Sequence, residues 1–183
     1  MPGRSLIPKS MVPQTKIAAA LQGSDRRSIG RVDEVAQLVR NEPKRFCELI
    51  ECLWHENPVV RMRAADAAEK VSAQKPRLLD GYKAELLGLL AEAEQIELRW
   101  HLAAMVPRLR LNAPERQRAA RALQRYLDDR SSIVKTFALQ GLSDLAENDA
   151  ALRIKVKQLL EDAIDSGTPA MKVRARKLLK DRP

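Results

Sequence analysis

A recurrence of apolar residues every 37 positions constrains this 183-residue chain more than any other feature. One register consists of Leu49, Leu86, Leu123 and Leu160, and a second register four residues later consists of Leu53, Leu90, Leu127 and Ile164. Residues four apart lie on one face of an α-helix, so each pair predicts a helix with an apolar stripe. A stripe that returns four times at a fixed period predicts a repeat architecture.

Four further helical segments lie between these stripes and share a plan. Their sequences are "VVRMRAADAAEKV", "IELRWHLAAMVPRL", "SIVKTFALQGLSDL" and "PAMKVRARKLLK". Each segment opens its apolar face with one residue, namely Val60, Leu98, Val134 and Met171. A basic residue follows at once in every segment, and we call this set the basic column: Arg61, Arg99, Lys135 and Lys172.

Periodicity and helix-boundary residues together predict a series of antiparallel helical hairpins. A first helix is expected over 31–40, followed by four pairs: 43–54 with 57–73, 79–92 with 95–110, 113–127 with 131–147, and 150–165 with 169–180. Four prolines fall in first helical turns, where a missing N–H costs nothing: Pro43, Pro58, Pro114 and Pro169. Asn112, Ser131 and Thr168 are expected N-caps. The connections are short enough to require antiparallel neighbours.

The segment "VVRMRAADAAEKV", with acids in the preceding turn and an Arg early in the second helix, resembles a HEAT repeat of the armadillo type. The resemblance implies an all-α fold, a right-handed α-α superhelix of about four hairpins with an N-terminal capping helix. One repeat domain is expected over 31–183, with units near 43–73, 79–110, 113–147 and 150–180. Residues 1–30 are expected to form a basic arm or a short helix. The family uses this architecture for many tasks, so the resemblance is specific for fold and not for function.

The composition favours a helical fold, and the charge distribution is weak evidence about the class of binding partner. Aromatic residues make up only 3% of the chain, so the core must be aliphatic, which favours close-packed helices. The net charge of +9 is concentrated at the two ends: residues 1–31 and residues 171–183 each hold six Lys or Arg and one Asp. Because the remainder is nearly balanced, the overall basicity is weak support for a nucleic-acid interface.

The sequence favours a cytoplasmic protein without cofactor or metal. Its longest early apolar run, "IAAAL" at 17–21, is shorter than the roughly 7 to 15 residues of a signal-peptide core, so no membrane segment is expected. Cys47 and Cys52 read as reduced core thiols. Together with His55 they supply too few ligands for a structural zinc ion, which takes about four.

Two interpretations of the basic column remain open. In the first, which the family resemblance favours, each cation binds an acid in the preceding hairpin turn and holds successive turns in register. The acids available for this are Glu56, Glu94, Asp129 and Asp165. In the second, the column forms a stripe on the concave face that binds phosphate or carboxylate groups of a ligand.

Trp100 and His101 are further candidates for the concave binding face. The aligned positions in the other units are chemically mixed, which favours packing, although an exposed Trp in a groove would be a good interface anchor. Bacterial alkylpurine DNA glycosylases, also built from HEAT-like repeats, place an Asp one turn after a Trp, whereas Ala104 occupies that position here. Glycosylase chemistry is therefore disfavoured. Pro107 should kink the second helix of this unit or end it early.

These observations predict a non-enzymatic HEAT-like scaffold that binds another protein. The alternative is a nucleic-acid binder that uses the basic column and the terminal arms, where Arg26, Arg27 and Arg31 could contact an acidic partner. No nucleophile, base and oxyanion arrangement, metal motif or phosphate-binding glycine loop is recognisable in the sequence.

Overall fold

The computed structural model describes residues 15–23 and 28–181, and these residues are helical with no strand among them. The ten α-helices within the described ranges are α1 Lys16–Leu21, α2 Val32–Asn41, α3 Phe46–Glu51, α4 Pro58–Gln74, α5 Lys83–Glu92, α6 Ile96–Met105, α7 Ala113–Tyr126, α8 Ser132–Leu145, α9 Ala150–Ser166 and α10 Pro169–Asp181. Short 3₁₀ turns extend several of them, at Pro43–Arg45, Cys52–Trp54, Pro76–Tyr82, Val106–Arg108 and Ala146–Asn148. The predicted all-α fold is confirmed.

The helices begin where the sequence places their boundary residues. Pro58, Pro114 and Pro169 lie at the starts of α4, α7 and α10. Asn112 caps α7 in a reciprocal box, since its side chain accepts the Glu115 N–H at 2.9 Å and the Glu115 carboxylate accepts the Asn112 N–H at 2.8 Å. Each contact satisfies a main-chain donor that has no partner inside a helix or turn. In the described helices we find no segment both long and apolar enough to cross a membrane.

The contacts of the chain group into two compact units, Met1–Glu85 and Leu86–Pro183, with the division inside α5. The first unit is built around α4, which packs against α1, α2 and α3. Because α4 has neighbours on several sides, it is buried along most of its length. Its small side chains, Ala64, Ala65, Ala67 and Ala68, allow these helices to approach closely.

The second unit contains two of the predicted hairpins in the expected pairing. Helix α7 packs on α8, α9 packs on α10, and the second helices form a row in which α8 contacts both α6 and α10. The first apolar register lies in the cores, where Leu86 and Leu123 are fully buried and Leu160 is 4% exposed. The second register is less uniform, since Leu90 is buried and Leu127 and Ile164 are half-buried.

Pro107 ends α6 early, as predicted. The α-helix stops at Met105 and continues as a 3₁₀ turn, Val106–Arg108. A proline has no N–H, so the carbonyl of Ala103, four residues earlier, loses its usual helical donor. Gly141 of α8 packs against this carbonyl so closely that a Cβ built on it would lie 2.6 Å from the oxygen. The α6 and α8 backbones are therefore in close contact at this point.

Two glycine substitutions are expected to change stability in opposite directions. Gly141→Ala gains helix propensity, but its methyl group would collide with the Ala103 carbonyl and would lie 3.0 Å from Leu123 Cδ1, so we expect a loss of about 1–3 kcal/mol. Gly88→Ala, in α5, meets no heavy atom within 4 Å and should gain about 0.5–1 kcal/mol. Urea unfolding measures both. A Gly141→Ala variant as stable as the wild type would contradict the close contact of α6 and α8.

Candidate functional site

Three residues of the basic column bind main-chain carbonyls at the end of the preceding helix or in the turn that follows it. Arg61 donates to the carbonyls of His55 and Glu56 at 2.8 and 2.9 Å. Arg99 Nε donates to the carbonyl of Ala93 at 2.6 Å, and Lys172 Nζ donates to that of Asp165 at 2.8 Å. We call this repeated contact the carbonyl joint.

The carbonyl joint follows from the chemistry of helix ends. The last carbonyls of an α-helix have no N–H donor within the helix, and the helix C-terminus carries partial negative charge. A cation in the first turn of the returning helix supplies both the donor and the opposite charge. The sequence predicts acidic side chains of the same turns as acceptors, whereas the acceptors in the structure are main-chain carbonyls.

Lys135 differs from the other members of the column. Its side chain makes no hydrogen bond or ion pair within the described part of the chain, and it lines a groove of about 500 Å³ together with Asp128 and Asp162. The column is thus structural at three of its four positions, and at the fourth its amine lies at a surface with two carboxylates.

Arg99 also joins its hairpin to the next one. Its Nη1 donates to Asp129 Oδ2 at 2.5 Å, and Asp129 lies in the turn between α7 and α8 rather than in the turn before α6. The Arg99 guanidinium also lies 5.4 Å from the ring centre of Tyr126, whose hydroxyl donates to the carbonyl of Leu90 at 2.7 Å. The sequence predicts Glu94 as the acid that binds Arg99, and the structure uses Asp129 instead.

Asp129 is held as a carboxylate in a nearly enclosed position. Its side chain is only 1% exposed, and its Oδ1 accepts the Ser131 N–H at 2.7 Å. Burial acts to raise the pKa of Asp129, but the Ser131 and Arg99 hydrogen bonds and the Arg99 charge outweigh it and hold the pKa below its ordinary value. The ion pair is therefore fully formed at neutral pH.

Trp100 and His101 are parts of the packing between helices. His101 is 2% exposed, and the half-buried Trp100 ring contacts both His101 and, at 5.1 Å between ring centres, Phe137 of α8. Arg174 of α10 lies 6.0 Å from the Phe137 ring centre and donates to Gln140 at 2.6 Å. These contacts form a strip across α6, α8 and α10 that stabilises the row of second helices.

The three candidate residues of the basic arm fall only partly within the structure. Arg26 and Arg27 lie outside the described residues. Arg31 is exposed and forms an ion pair with Glu34 at 2.8 Å in the first turn of α2, and this pair raises the pKa of the Arg31 guanidinium. Glu34 therefore already provides Arg31 with an anionic partner.

Arg63 of α4 is an important residue that the sequence analysis did not single out. It is 4% exposed, and its guanidinium donates to the carbonyls of Leu21, Gln22 and Ser28 at 2.6 to 3.2 Å. Gly30 has φ +57°, and a Cβ there would lie 2.8 Å from Arg63 Cζ. The Arg63 side chain thus binds main-chain carbonyls at the end of α1 and after it. Its position beside Val60 and Ala64 on the buried face of α4 was the available signal.

A row of arginines on α7 was also missed. Arg118, Arg121 and Arg125 follow one face of the helix and are exposed, and their side chains form no hydrogen bond or ion pair with the residues described. Beside them, α7 and α9 enclose a groove of about 410 Å³ whose lining includes Arg121 and Lys155. The arginines of "RAARALQR" are three and four residues apart, and this spacing indicates a basic helix face. A net charge summed over whole segments does not reveal such a face.

Acidification is expected to weaken the Arg99–Asp129 pair. Since the folded pKa of Asp129 is lowered, the stability it supplies is complete above the unfolded pKa of about 4 and is lost as the pH falls through the folded value. Asp129→Asn should cost about 1–3 kcal/mol at neutral pH, and this difference should shrink in acid. Urea unfolding between neutral pH and strong acid measures it. The control Glu161→Gln, at an exposed position, should stay within about 0.5 kcal/mol, and an equal loss in both variants would contradict the assignment.

Arg63→Lys is expected to loosen α1. A single ammonium cannot reproduce the forked donation of a guanidinium to three carbonyls, so we expect a loss of about 1–3 kcal/mol and faster hydrogen exchange in Lys16–Leu21. Arg118→Lys is the matched control, at an exposed position, and should change neither quantity. Unchanged exchange in α1 of the Arg63→Lys variant would contradict the role given to Arg63.

The described residues form no cluster for a metal ion, and the buried Cys52 thiol is not activated. Within residues 15–23 and 28–181, no three His, Cys, Asp or Glu side chains are placed to hold a metal ion, and His55 Nδ1 accepts the Asn57 N–H at 3.0 Å. Burial, with the charges of Glu51 and Glu48, raises the pKa of the Cys52 thiol to about 12, so it is not a nucleophile at neutral pH. In comparisons with known proteins, no family model, no curated protein and no solved structure matches this chain.

Proposed function

We propose that this chain is a non-enzymatic, cytoplasmic scaffold of HEAT-like helical hairpins, arranged as a right-handed α-solenoid, that binds another protein. The observation that carries the proposal is the carbonyl joint, because a contact made by Arg61, Arg99 and Lys172 at equivalent positions is the mark of a repeated unit. Repeated units of this kind need their neighbours to bury an apolar stripe, and their stacking creates an extended surface for binding.

The distribution of roles among the candidate residues also supports a scaffold. Three members of the basic column, together with Trp100 and His101, make contacts that hold helices together, so the concave face predicted from them is largely architectural. We therefore expect a partner protein to bind exposed side chains outside this set of residues. Ile154 and Val173 are exposed large apolar residues, at 75% and 67% exposure.

Nucleic-acid binding is the second candidate, and one observation favours it. The last helix, α10, exposes Arg176, Lys177 and Lys180, whose side chains have no hydrogen-bond or ion-pair partner in the described ranges. Cations of this kind bind phosphates with a strong dependence on salt. Their number is small for an interface that has to neutralise many phosphates.

A capture experiment with nuclease treatment separates the two candidates. We expect partner proteins recovered with the tagged chain to remain bound after DNase and RNase digestion, because the contacts are with protein. In parallel, anisotropy with a DNA duplex should show weak binding with a shallow dependence of log K on log salt, against a slope of roughly −0.9 per phosphate contact for a true DNA binder. Partners lost on digestion, with a steep salt slope, would overturn the scaffold proposal in favour of nucleic-acid binding.

A further inference from the structure

The arginine row of α7 (Arg118, Arg121 and Arg125) is a concentration of positive charge that forms no hydrogen bond or ion pair with the other residues the structure describes. The three side chains lie three and four residues apart on an exposed face, so they are neighbours along the helix and repel one another. Two other cations of the same unit have acidic partners, since Arg116 is 3.5 Å from Asp149 and Arg99 pairs with Asp129. Three exposed arginines on one helix face are electrostatically complementary to an anionic ligand.

The row borders the groove between α7 and α9, which adds other recognition chemistry. Lys155 of α9 lines the groove together with Arg121, and the amides of Gln117 and Gln124 can both donate and accept hydrogen bonds. Ala120 and Leu152 contribute apolar surface. The lining therefore offers cations for carboxylates, amides for a peptide main chain and a small apolar area for short side chains.

Asp149, the acid among the described residues that line this groove, already has its charge compensated. Asp149 accepts the Leu152 N–H at 3.0 Å as the N-cap of α9 and lies beside Arg116. The Leu152 hydrogen bond is the main cause that lowers the pKa of Asp149; burial opposes it, and the hydrogen bond and charge of Arg116 add to the lowering. Its charge is therefore held by the helix end and by Arg116.

The length of the basic part favours a short ligand over a polyanion. Arg118 and Arg125 are seven residues apart, which is about 10 Å along a helix. The adjoining groove, at the C-terminal ends of α7 and α9, is lined by Asp128, Asp162 and Lys135, so two of its three charged side chains are acidic. A nucleic-acid duplex carries one charge every ~1.7 Å and would bring phosphates against these acids.

We infer that the groove between α7 and α9 binds a short acidic segment of a partner protein, with the carboxylates on the arginine row and on Lys155. The inference rests on the proposed scaffold function and names the chemistry of its partner. An acidic segment followed by a basic residue fits best, because Asp128 and Asp162 then meet the opposite charge.

Peptide binding to the whole chain tests the assignment. The probe is a fluorescein-labelled peptide of alternating Glu and Ala, measured by anisotropy at low salt, with the Gln–Ala peptide as its neutral counterpart. The variant R118E/R121E/R125E should weaken binding of the Glu–Ala peptide at least about tenfold, since attraction at each exposed cation is replaced by repulsion. The neutral variant R118Q/R121Q/R125Q should lose less. The matched control R176E/K177E/K180E changes the net charge equally on α10 and should lose less than about threefold.

Four results would overturn one proposal or the other. Equal losses in the α7 and α10 variants, or equal binding of the two peptides, would overturn the groove assignment, and circular dichroism with thermal unfolding shows whether each variant is folded. A DNA duplex bound more tightly than the peptide and released by R118E/R121E/R125E would make this face a nucleic-acid interface instead.

If partner proteins captured by the wild type stay on the α7 variant, the groove assignment fails while the scaffold function stands. If no protein is captured, the scaffold function itself fails.

Discussion

The satisfaction of helix-terminal carbonyls by cations is the interaction on which the rest of this structure depends. A chain made of short helices has many helix ends, and every end leaves carbonyls without donors. Arg61, Arg99 and Lys172 supply those donors from the first turn of the returning helix, so each cation fixes how two successive helices meet. The packing of apolar stripes follows, because a hairpin with a fixed turn presents its leucines in one direction.

Two arginines show how hydrogen bonding by a guanidinium can serve two different structural purposes. Arg99 is partly exposed, and the buried Asp129 binds it, so a charge pair links two successive turns. Arg63 is buried, and the main-chain carbonyls of three residues accept its hydrogen bonds and share its charge. Guanidinium is suited to both situations because its donors form a rigid planar fork. A lysine suffices at position 172, where a single exposed carbonyl accepts.

The helices could be predicted closely because their signals are local. Apolar periodicity, prolines in first turns and the Asn112 cap each act within a few residues, and the break at Pro107 follows from one missing N–H. The hydrogen-bond and ion-pair partners of side chains were harder to predict, because they depend on distance in space and not on distance along the chain. The sequence assigns Asp129 to its own unit, whereas in the structure it binds Arg99, 30 residues earlier in the chain. Arg63 escaped notice because its acceptors are carbonyls, which every residue has and no sequence pattern marks.

The candidate site illustrates a related limit of summing charge along a chain. The segment between the basic ends is nearly neutral in sequence, yet Arg118, Arg121 and Arg125 share one face of α7. Asp128 and Asp162 lie in the adjoining groove. Helical periodicity separates charges that a running sum cancels. A surface with adjacent basic and acidic halves selects a partner by charge pattern rather than by total charge, and like-charge contacts penalise wrong alignments. Such a surface favours a protein segment of defined sequence over a uniform polyanion, which connects the nearly balanced charge of residues 32–170 to the kind of partner proposed for the chain.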